Sequence, residues 1–478
     1  MMSVRLFSRK DITLENLRRV AWAGETVEID GSAVARMEAA RRRFMTLLED
    51  PAISVYGVTS GYGQNAKKRL TDDERKQHAK RPPIQQAAAW GDPLPDRVTR
   101  AIIFARLANL IDGTAAITPG VALAVAAMLD GRPLPTIPAR GQGGAGEILS
   151  LSHAFGALVA TAPVGEKDVL SLINGSPAAS ALVGDTALAA CSRLDIAVEI
   201  FALAAEAFNT PLSHFAPELG ELWNNPHDAW ALAKLNEAIG KGHDGPRRPY
   251  QAPVSFRILP RMLGQARRAE RLAAEIATES LGAVTDNPVM LEPDQDHPLG
   301  RMISTGGYHN PHAVIAMDAV TAANVNLITI AGRFAAKLLD GAVSLLPDQL
   351  GLGGLPGYLG CLPMAITGYE EEARIHAMAT LLPGSESGGF GQDDVASPVF
   401  LAWSKQEKTG ALLEAALASL AFIAFRALVL TNRPIPPRLG RVAEDIRNFI
   451  PDPDSGQVLG PASYQLEAIL RARVYDRA

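Results

Sequence analysis

The chain has 478 residues, 47% of them hydrophobic, which suffices for a large buried core in one helical body or in about three domains. Its formal net charge is −5, from 46 basic and 51 acidic residues. This balance excludes a protein that binds nucleic acid or a membrane surface mainly through positive charge.

The first predicted helix covers Ala33–Glu49, with Ser32 as its N-cap, and a short strand candidate, Thr26–Ile29, precedes it. Further along, Val98–Leu110 repeats apolar residues at helical spacing. Four long, alanine-rich stretches are apolar on most sides, which indicates helices inside a large bundle. They are Leu182–Phe208, Met262–Leu281, His312–Leu339 and Ala411–Leu430.

Loops rich in glycine and proline separate these helices and are where we expect the chemistry to lie. They are Val55–Asn65, Pro135–Gly146, Ile173–Pro177, His243–Pro253, Gly306–Pro311 and Leu382–Pro398.

Cysteine and apolar patterns indicate a cytoplasmic enzyme. Cys191 and Cys361 lie far apart, so no disulfide framework is expected, and each is predicted to be buried and reduced. The nine histidines are scattered, and we predict no metal site. The start of the chain lacks the apolar core of a signal peptide. The apolar stretch Gly410–Leu430 contains Glu414 and Arg426, which favours a core helix over a membrane span.

The sequence Gly-Gln-Gly-Gly-Ala-Gly-Glu-Ile-Leu-Ser-Leu-Ser-His, at Gly141–His153, resembles the prosthetic-group loop of the histidine and aromatic amino-acid ammonia-lyases. In that family an Ala-Ser-Gly triplet cyclises and loses water, which gives the electrophile methylideneimidazolone. The corresponding residues here are Gly144, Ala145 and Gly146. Because alanine carries no hydroxyl, the resemblance implies that this cofactor cannot form.

Two more loops resemble elements of the same family. Tyr-Gly-Val-Thr-Ser-Gly-Tyr-Gly at Tyr56–Gly63 is similar to the loop that carries the family's catalytic base, which implies that role for Tyr56. A phenol with a pKa of about 10 needs nearby positive charge or hydrogen-bond donors to act as a base at neutral pH. Leu-Ile-Asn-Gly-Ser at Leu172–Ser176 implies that Asn174 contacts the substrate carboxylate.

The second half continues the resemblance in family order. Gln251–Pro260 matches the element whose arginine holds the amino-acid carboxylate, which implies a two-pronged contact from Arg257. Gln251 keeps a polar position, whereas Val254 replaces a family tyrosine. Thr285–Pro288 matches a Thr-Asp-Asn-Pro element. Gly-Gly-Tyr-His at Gly306–His309 puts Tyr308 in place of an active-site phenylalanine.

Three further residues are assigned to the substrate side chain by the resemblance. Gln392 corresponds to a substrate-side Glu or Gln, Met364 falls at an apolar family position, and Gln86 replaces a histidine that flanks the pocket. None of the three side chains is charged, so the sequence predicts no strongly charged group where the substrate side chain binds.

The resemblance implies a mainly α-helical protein with the long helical bundle of the ammonia-lyases and fumarases. We expect an N-terminal, loop-rich helical domain over residues 1–177 and a central and C-terminal bundle over residues 178–478. Family members are homotetramers whose sites draw loops from more than one subunit. The resemblance therefore implies a tetramer with shared sites and an amino-acid-like small molecule as substrate.

Three interpretations of Ala145 are open. In the first, the enzyme eliminates a group that leaves without help, such as trimethylamine from a betaine of histidine or a related aromatic amino acid. The ergothionase-type branch of the superfamily works in this way. On this interpretation, Tyr56 of this chain takes the proton, Arg257 and Asn174 hold the carboxylate, and Tyr308 stacks on the cation. In the second, a conventional ammonia-lyase or aminomutase has had its serine replaced. In the third, the scaffold serves an addition, a condensation or a non-catalytic binding role.

Overall fold

A computed structural model describes residues 3–242, 245–352, 357–385, 388, 391–453 and 455–475. Parts of two predicted loops, His243–Pro253 and Leu382–Pro398, lie outside this description. The described chain is mainly helical, as the sequence predicts, with a few short strands.

The N-terminal part contains seven helices around the first predicted loops. In chain order they are α1 Leu14–Leu17, α2 Gly31–Leu47, α3 Asp72–Ala79, α4 Asp96–Leu110, α5 Pro119–Ala127, α6 Ile148–Thr161 and α7 Asp168–Ile173.

The remaining helices form the bundle and its flanks. They are α8 Pro177–Ala207, α9 Leu219–Leu222, α10 Pro226–Ile239, α11 Val254–Arg257, α12 Leu259–Leu281, α13 Pro311–Leu339, α14 Gly341–Ser344, α15 Leu362–His376, α16 Val399–Leu430, α17 Gly440–Phe449 and α18 Leu459–Tyr475. Helices α8, α12, α13 and α16 pack side by side as the centre of the bundle.

The four long predicted helices are confirmed, but each begins earlier than the apolar pattern indicates. Proline explains the starts: Pro177 and Pro311 open α8 and α13, Pro260 is the second residue of α12, and Pro398 precedes α16. A proline fits the first turn because the N–H it lacks there has no partner within the helix. Helix α2 differs at its cap, since Asp30, not Ser32, is the N-cap, and its carboxylate accepts from the Ser32 N–H at 2.8 Å.

The described residues form three two-stranded sheets. The predicted strand β2, Thr26–Ile29, is confirmed and pairs in parallel with β1, Ser3–Leu6. Strand β3, Trp90–Pro93, pairs antiparallel with β4, Pro138–Arg140, and β5, Val289–Leu291, pairs antiparallel with β6, Arg301–Ile303. Strand β1 and strands β3 to β6 are not predicted from the sequence, because each has only three or four residues.

The prediction that both cysteines are buried is wrong, because Cys191 and Cys361 are exposed in the single chain. Cys191 belongs to a stripe that breaks the burial of α8 at a spacing of three to four residues, together with Leu188, Asp195 and Glu199. One face of this otherwise buried helix therefore points away from the core of its own chain.

In the described part of the chain, two helices, α13 and α16, are long and apolar enough to cross a membrane by length and composition alone. Their most apolar stretches are 67% and 78% buried inside the molecule. The same lengths and compositions belong to core helices, and both pack in the centre of the bundle.

A single main cluster of buried apolar side chains extends from Val4 to Val474. The proposed boundary at residue 177 coincides with the start of α8, and buried residues on both sides belong to this cluster. The division into two domains stays a prediction.

Candidate active site

The glycine-rich loop ahead of α6 is held against the Asn174 loop. Gly146 adopts a left-handed conformation with φ +66°, and its carbonyl accepts from the Gly175 N–H at 3.1 Å. A Cβ at Gly146 would lie 2.4 Å from Asn174 Oδ1. A glycine is therefore required here on two grounds, its backbone conformation and the close approach of Asn174.

Replacing Gly146 with alanine is expected to lower the free energy of unfolding by about 1–3 kcal/mol, because the variant must hold a left-handed alanine and displace Asn174. Thermal or urea unfolding measures the change. Gly143→Ala is the matched control, since a Cβ there meets nothing within 4 Å and its φ is not left-handed. Equal stability of the two variants would contradict the close packing of the two loops.

Asn174 ends α7 and is fixed from behind. Its backbone carbonyl accepts from Arg106 Nη1 at 2.7 Å, and its side-chain Nδ2 donates to the Asn287 carbonyl at 3.1 Å. The Thr285–Pro288 element thus supports the loop. Asn109 Oδ1 in turn accepts from the backbone N–H groups of Thr285 and Asp286, at 2.5 and 2.9 Å.

A buried cluster of charged groups lies under this loop. Lys167 Nζ donates to Asp286 Oδ2 at 2.6 Å and to Ser171 Oγ at 2.7 Å, and Arg106 Nη2 lies 3.7 Å from Asp286 Oδ1. The side chains of Arg106, Lys167 and Asp286 are fully buried. Burial lowers the pKa of Lys167, and the Asp286 carboxylate opposes this shift. The three groups form a rigid support that depends on one shared carboxylate.

Glu147 joins the glycine-rich loop to the start of α8. Its two carboxyl oxygens accept from the N–H groups of Ala178 and Ala179 at 2.6 and 2.7 Å. Complete burial raises the pKa of Glu147 to about 8, although these two donors and Arg106 favour the charged form. Glu147 therefore caps the long central helix and fixes the triplet at the same time.

A cavity of about 390 Å³ opens above the triplet, within the size range of small-molecule sites. It is lined by five residues assigned from the sequence, Tyr56, Gln86, Gly144, Ala145 and Asn174. Tyr56 and Asn174, which could have belonged to different subunit sites, share one cavity of one chain. Ala145 is thus part of the cavity wall.

Tyr56 lies half-buried in the loop after α2. Its hydroxyl oxygen accepts from the Gly63 N–H at 3.1 Å. Burial raises the pKa of Tyr56, and the charge of Asp393 and the nearby Tyr308 and Tyr62 hydroxyls add to the shift, while the Gly63 N–H opposes it. Within the described chain, Tyr56 therefore lacks the positive charge that would make its phenol a base near neutral pH.

Gln86 is positioned by Tyr62. Gln86 Nε2 donates to the Tyr62 hydroxyl at 3.2 Å, and the Tyr62 ring packs on His78 with a centroid distance of 4.8 Å. Both Tyr62 and Gln86 line the cavity. The second tyrosine of the Tyr56–Gly63 loop thus holds a wall residue that the sequence assigns to the substrate side chain.

Sequence reasoning missed Asp393. It assigned Gln392 to the substrate, but Gln392 is exposed and does not line the cavity, whereas Asp393 does. Burial and the adjacent Asp394 carboxylate raise the pKa of Asp393. The available signal was the acidic pair beside Gln392, one residue away from the position chosen.

Other assigned residues do not line the cavity of their own chain: Arg257, Gln251, Val254, Met364, Tyr308 and Gly146. Gln251 is exposed, as are Val254 at 58% and Met364 at 72%. Arg257, at the end of α11, is partly buried, and its Nε has no hydrogen-bond partner among the described residues. Arg257 also helps burial to lower the pKa of His214.

No group of three or more histidine, cysteine, aspartate or glutamate side chains that could hold a metal ion occurs in the described part of the chain.

The model of the family described as aromatic amino acid lyase matches residues 12–165 and 159–449. The chain belongs to this family. Among curated relatives, histidine ammonia-lyase of Streptomyces coelicolor is 28% identical in an alignment covering 96% of this chain and 95% of the relative. That of Sorangium cellulosum is 29% identical over 70% of this chain and 71% of its own length.

Solved structures of the family share the fold. Ergothionase from Treponema denticola, in complex with desmethyl-ergothioneine sulfonic acid, aligns with a TM-score of 0.88 over 100% of both chains at 19% identity. Tyrosine aminomutase from Streptomyces globisporus aligns with a TM-score of 0.85 at 22% identity, covering 100% of this chain and 98% of its own. The predicted long helical bundle of the ammonia-lyases is therefore confirmed.

Proposed function

We propose that this chain catalyses a β-elimination without methylideneimidazolone and releases trimethylamine from a betaine of histidine or of a related aromatic amino acid. The observation that carries the proposal is Ala145, which lines the cavity together with Asn174 and Tyr56. A family enzyme needs its electrophile because an ordinary amino group is a poor leaving group. A quaternary ammonium group, by contrast, leaves unaided as a neutral tertiary amine.

The residues of the triplet do not fit the family's prosthetic group. Its exocyclic carbon comes from a dehydrated serine, and Ala145 has no hydroxyl to lose. The next hydroxyls along the chain, Ser150 and Ser152, are buried within α6, where Ser150 Oγ donates to the Glu147 carbonyl at 3.0 Å. We therefore propose that no cofactor takes part in the reaction.

The elimination needs a base, a carboxylate-binding group and a leaving group. Tyr56, as phenolate, accepts the β-proton, the electron pair of that C–H bond forms the carbon–carbon double bond, and the Cα–N bond breaks. The nitrogen keeps the bonding pair and departs as neutral trimethylamine. The positive charge of the bound substrate also lowers the pKa of Tyr56. The substrate thus supplies the positive charge near Tyr56 that the described chain lacks.

We further propose that Arg257 reaches the cavity from a second subunit of a homotetramer and binds the substrate carboxylate together with Asn174. Arg257 and Val254 lie outside the cavity of their own chain, and Val254 is 58% exposed, as expected for residues that complete a neighbour's site. An Arg–carboxylate pair is well suited to fix the orientation of an amino acid. The likeness to ergothionase supports the same reaction class.

Product analysis with the purified protein tests the proposal. Hercynine and ergothioneine are incubated beside histidine, tyrosine and phenylalanine, and trimethylamine and ammonia are both measured. Trimethylamine from one of the betaines, with no ammonia from the amino acids, is the expected result. Ammonia from an ordinary amino acid would overturn the proposal. The proposal would also be overturned if an Ala145→Ser variant released ammonia from an amino acid and the wild type did not. This result would identify a conventional lyase with a replaced serine.

A further inference from the structure

The cavity combines a carboxyl group with phenol rings. Asp393 lines the cavity, and its Oδ2 lies 3.9 Å from the Cβ position of Gly63, whose N–H donates to Tyr56. Tyr56 and Tyr62 line the same cavity, and Tyr308 lies close enough to influence the pKa of Tyr56. An acidic group and two aromatic rings thus line the same cavity.

The charge of this wall has one sign. Among the described residues that line the cavity, Asp393 is the one with a charged side chain, and none is lysine or arginine. The other lining residues are glycine, alanine, leucine, isoleucine, tyrosine, glutamine and asparagine. Such a wall attracts a cation and offers it aromatic faces as well as apolar surface.

We infer that Asp393, with Tyr56 and Tyr62, forms the subsite for the trimethylammonium group of the substrate; this inference rests on the proposed function. A trimethylammonium group has no N–H and cannot be recognised by hydrogen bonds. Opposite charge and aromatic faces are the means that proteins use to bind it. The Asp393 carboxylate supplies the opposite charge, and the phenol rings of Tyr56 and Tyr62 supply the aromatic faces.

The subsite acts on binding more than on turnover. The positive charge on nitrogen disappears as the Cα–N bond breaks, so its attraction to Asp393 is strongest before the reaction and weaker in the transition state. An interaction of this kind lowers KM without raising kcat. Removal of the carboxylate is therefore expected to raise KM for the betaine while kcat stays the same or increases.

Binding of choline to the full-length protein tests the inference without turnover. By calorimetry, choline is expected to bind more tightly than its neutral isostere 3,3-dimethylbutan-1-ol. Asp393→Asn should weaken choline binding by at least about tenfold and leave the isostere unchanged. Asp393→Glu, which keeps the charge, should bind choline within a few-fold of the wild type. Asp394→Asn is the matched control, because this neighbouring carboxyl is exposed and outside the cavity wall.

The outcomes separate the subsite from the reaction. Equal choline affinity in the wild type and Asp393→Asn, or no preference for choline over the isostere, would overturn the subsite even if trimethylamine is released. Choline binding that depends on Asp393, in a protein that releases no trimethylamine, would support the cation subsite and overturn the proposed reaction. If Asp393→Asn does not fold, the comparison of choline with the isostere on the wild type and on Asp393→Glu still decides.

Discussion

Replacing Tyr56 with phenylalanine is expected to lower kcat for the betaine by about 10²–10⁴-fold while KM changes little. The range is that of a missing general base, and the ring that faces the cavity is retained. Steady-state release of trimethylamine measures both constants. Tyr62→Phe is the comparison, because it removes the other phenol of the loop, whose hydroxyl accepts from Gln86. It is expected to lower kcat far less.

The pH profile gives an independent readout of the same residue. Burial and the Asp393 charge raise the pKa of Tyr56, so the reactive phenolate is the minor form of the free enzyme at neutral pH. The fraction of phenolate then increases tenfold per pH unit below that pKa, and kcat/KM is expected to rise with pH in the same way. The rise should be absent in Tyr56→Phe. A profile that is identical in both proteins would remove Tyr56 as the base.

Asp286→Ala is expected to destabilise the protein by about 3–5 kcal/mol, because it leaves Lys167 and Arg106 buried without their shared carboxylate. Chemical denaturation measures the free energy of unfolding. Asp294→Ala is the matched control, since Asp294 is exposed and its ion pair with His297 lies on the surface, where such pairs contribute little to stability.

A double variant separates loss of charge pairing from loss of packing. Replacing Asp286 with leucine and Lys167 with methionine removes the carboxylate together with the Lys167 ammonium group, which Asp286→Ala would leave unpaired. The double variant is expected to recover part of the stability that Asp286→Ala loses. If Asp286→Ala and Asp294→Ala lower the free energy of unfolding by the same amount, the buried cluster does not support the Asn174 loop in the way described.

The helices were readable from the sequence because their apolar residues recur at helical spacing over long stretches, as in α8 and α13. Their starts were not, because proline and cap geometry set them: Val399 opens α16 well before its most apolar stretch. The N-cap of α2 was placed two residues late for the same reason. The strands β3 to β6 are too short to carry a pattern of their own.

The candidate site was partly readable because Tyr56, Gln86, Ala145 and Asn174 occupy loops with recognisable motifs, and the fold brings them to one cavity. Asp393 was missed, since one residue of register decides which side chain of an acidic loop turns inward. Arg257 and Met364 do not line this cavity in the single chain. The proposal that Arg257 completes the site of a neighbouring subunit concerns subunit packing, which the sequence of one chain does not encode directly.

The buried cluster of Arg106, Lys167 and Asp286 supports the Asn174 loop but contributes no side chain to the cavity wall. The groups that hold the site together are thus separate from the groups that meet the substrate. Wall positions such as Ala145, Gln86 and Asp393 do not belong to this buried charged cluster. Substitutions at these wall positions are therefore expected to change substrate binding with little effect on the free energy of unfolding.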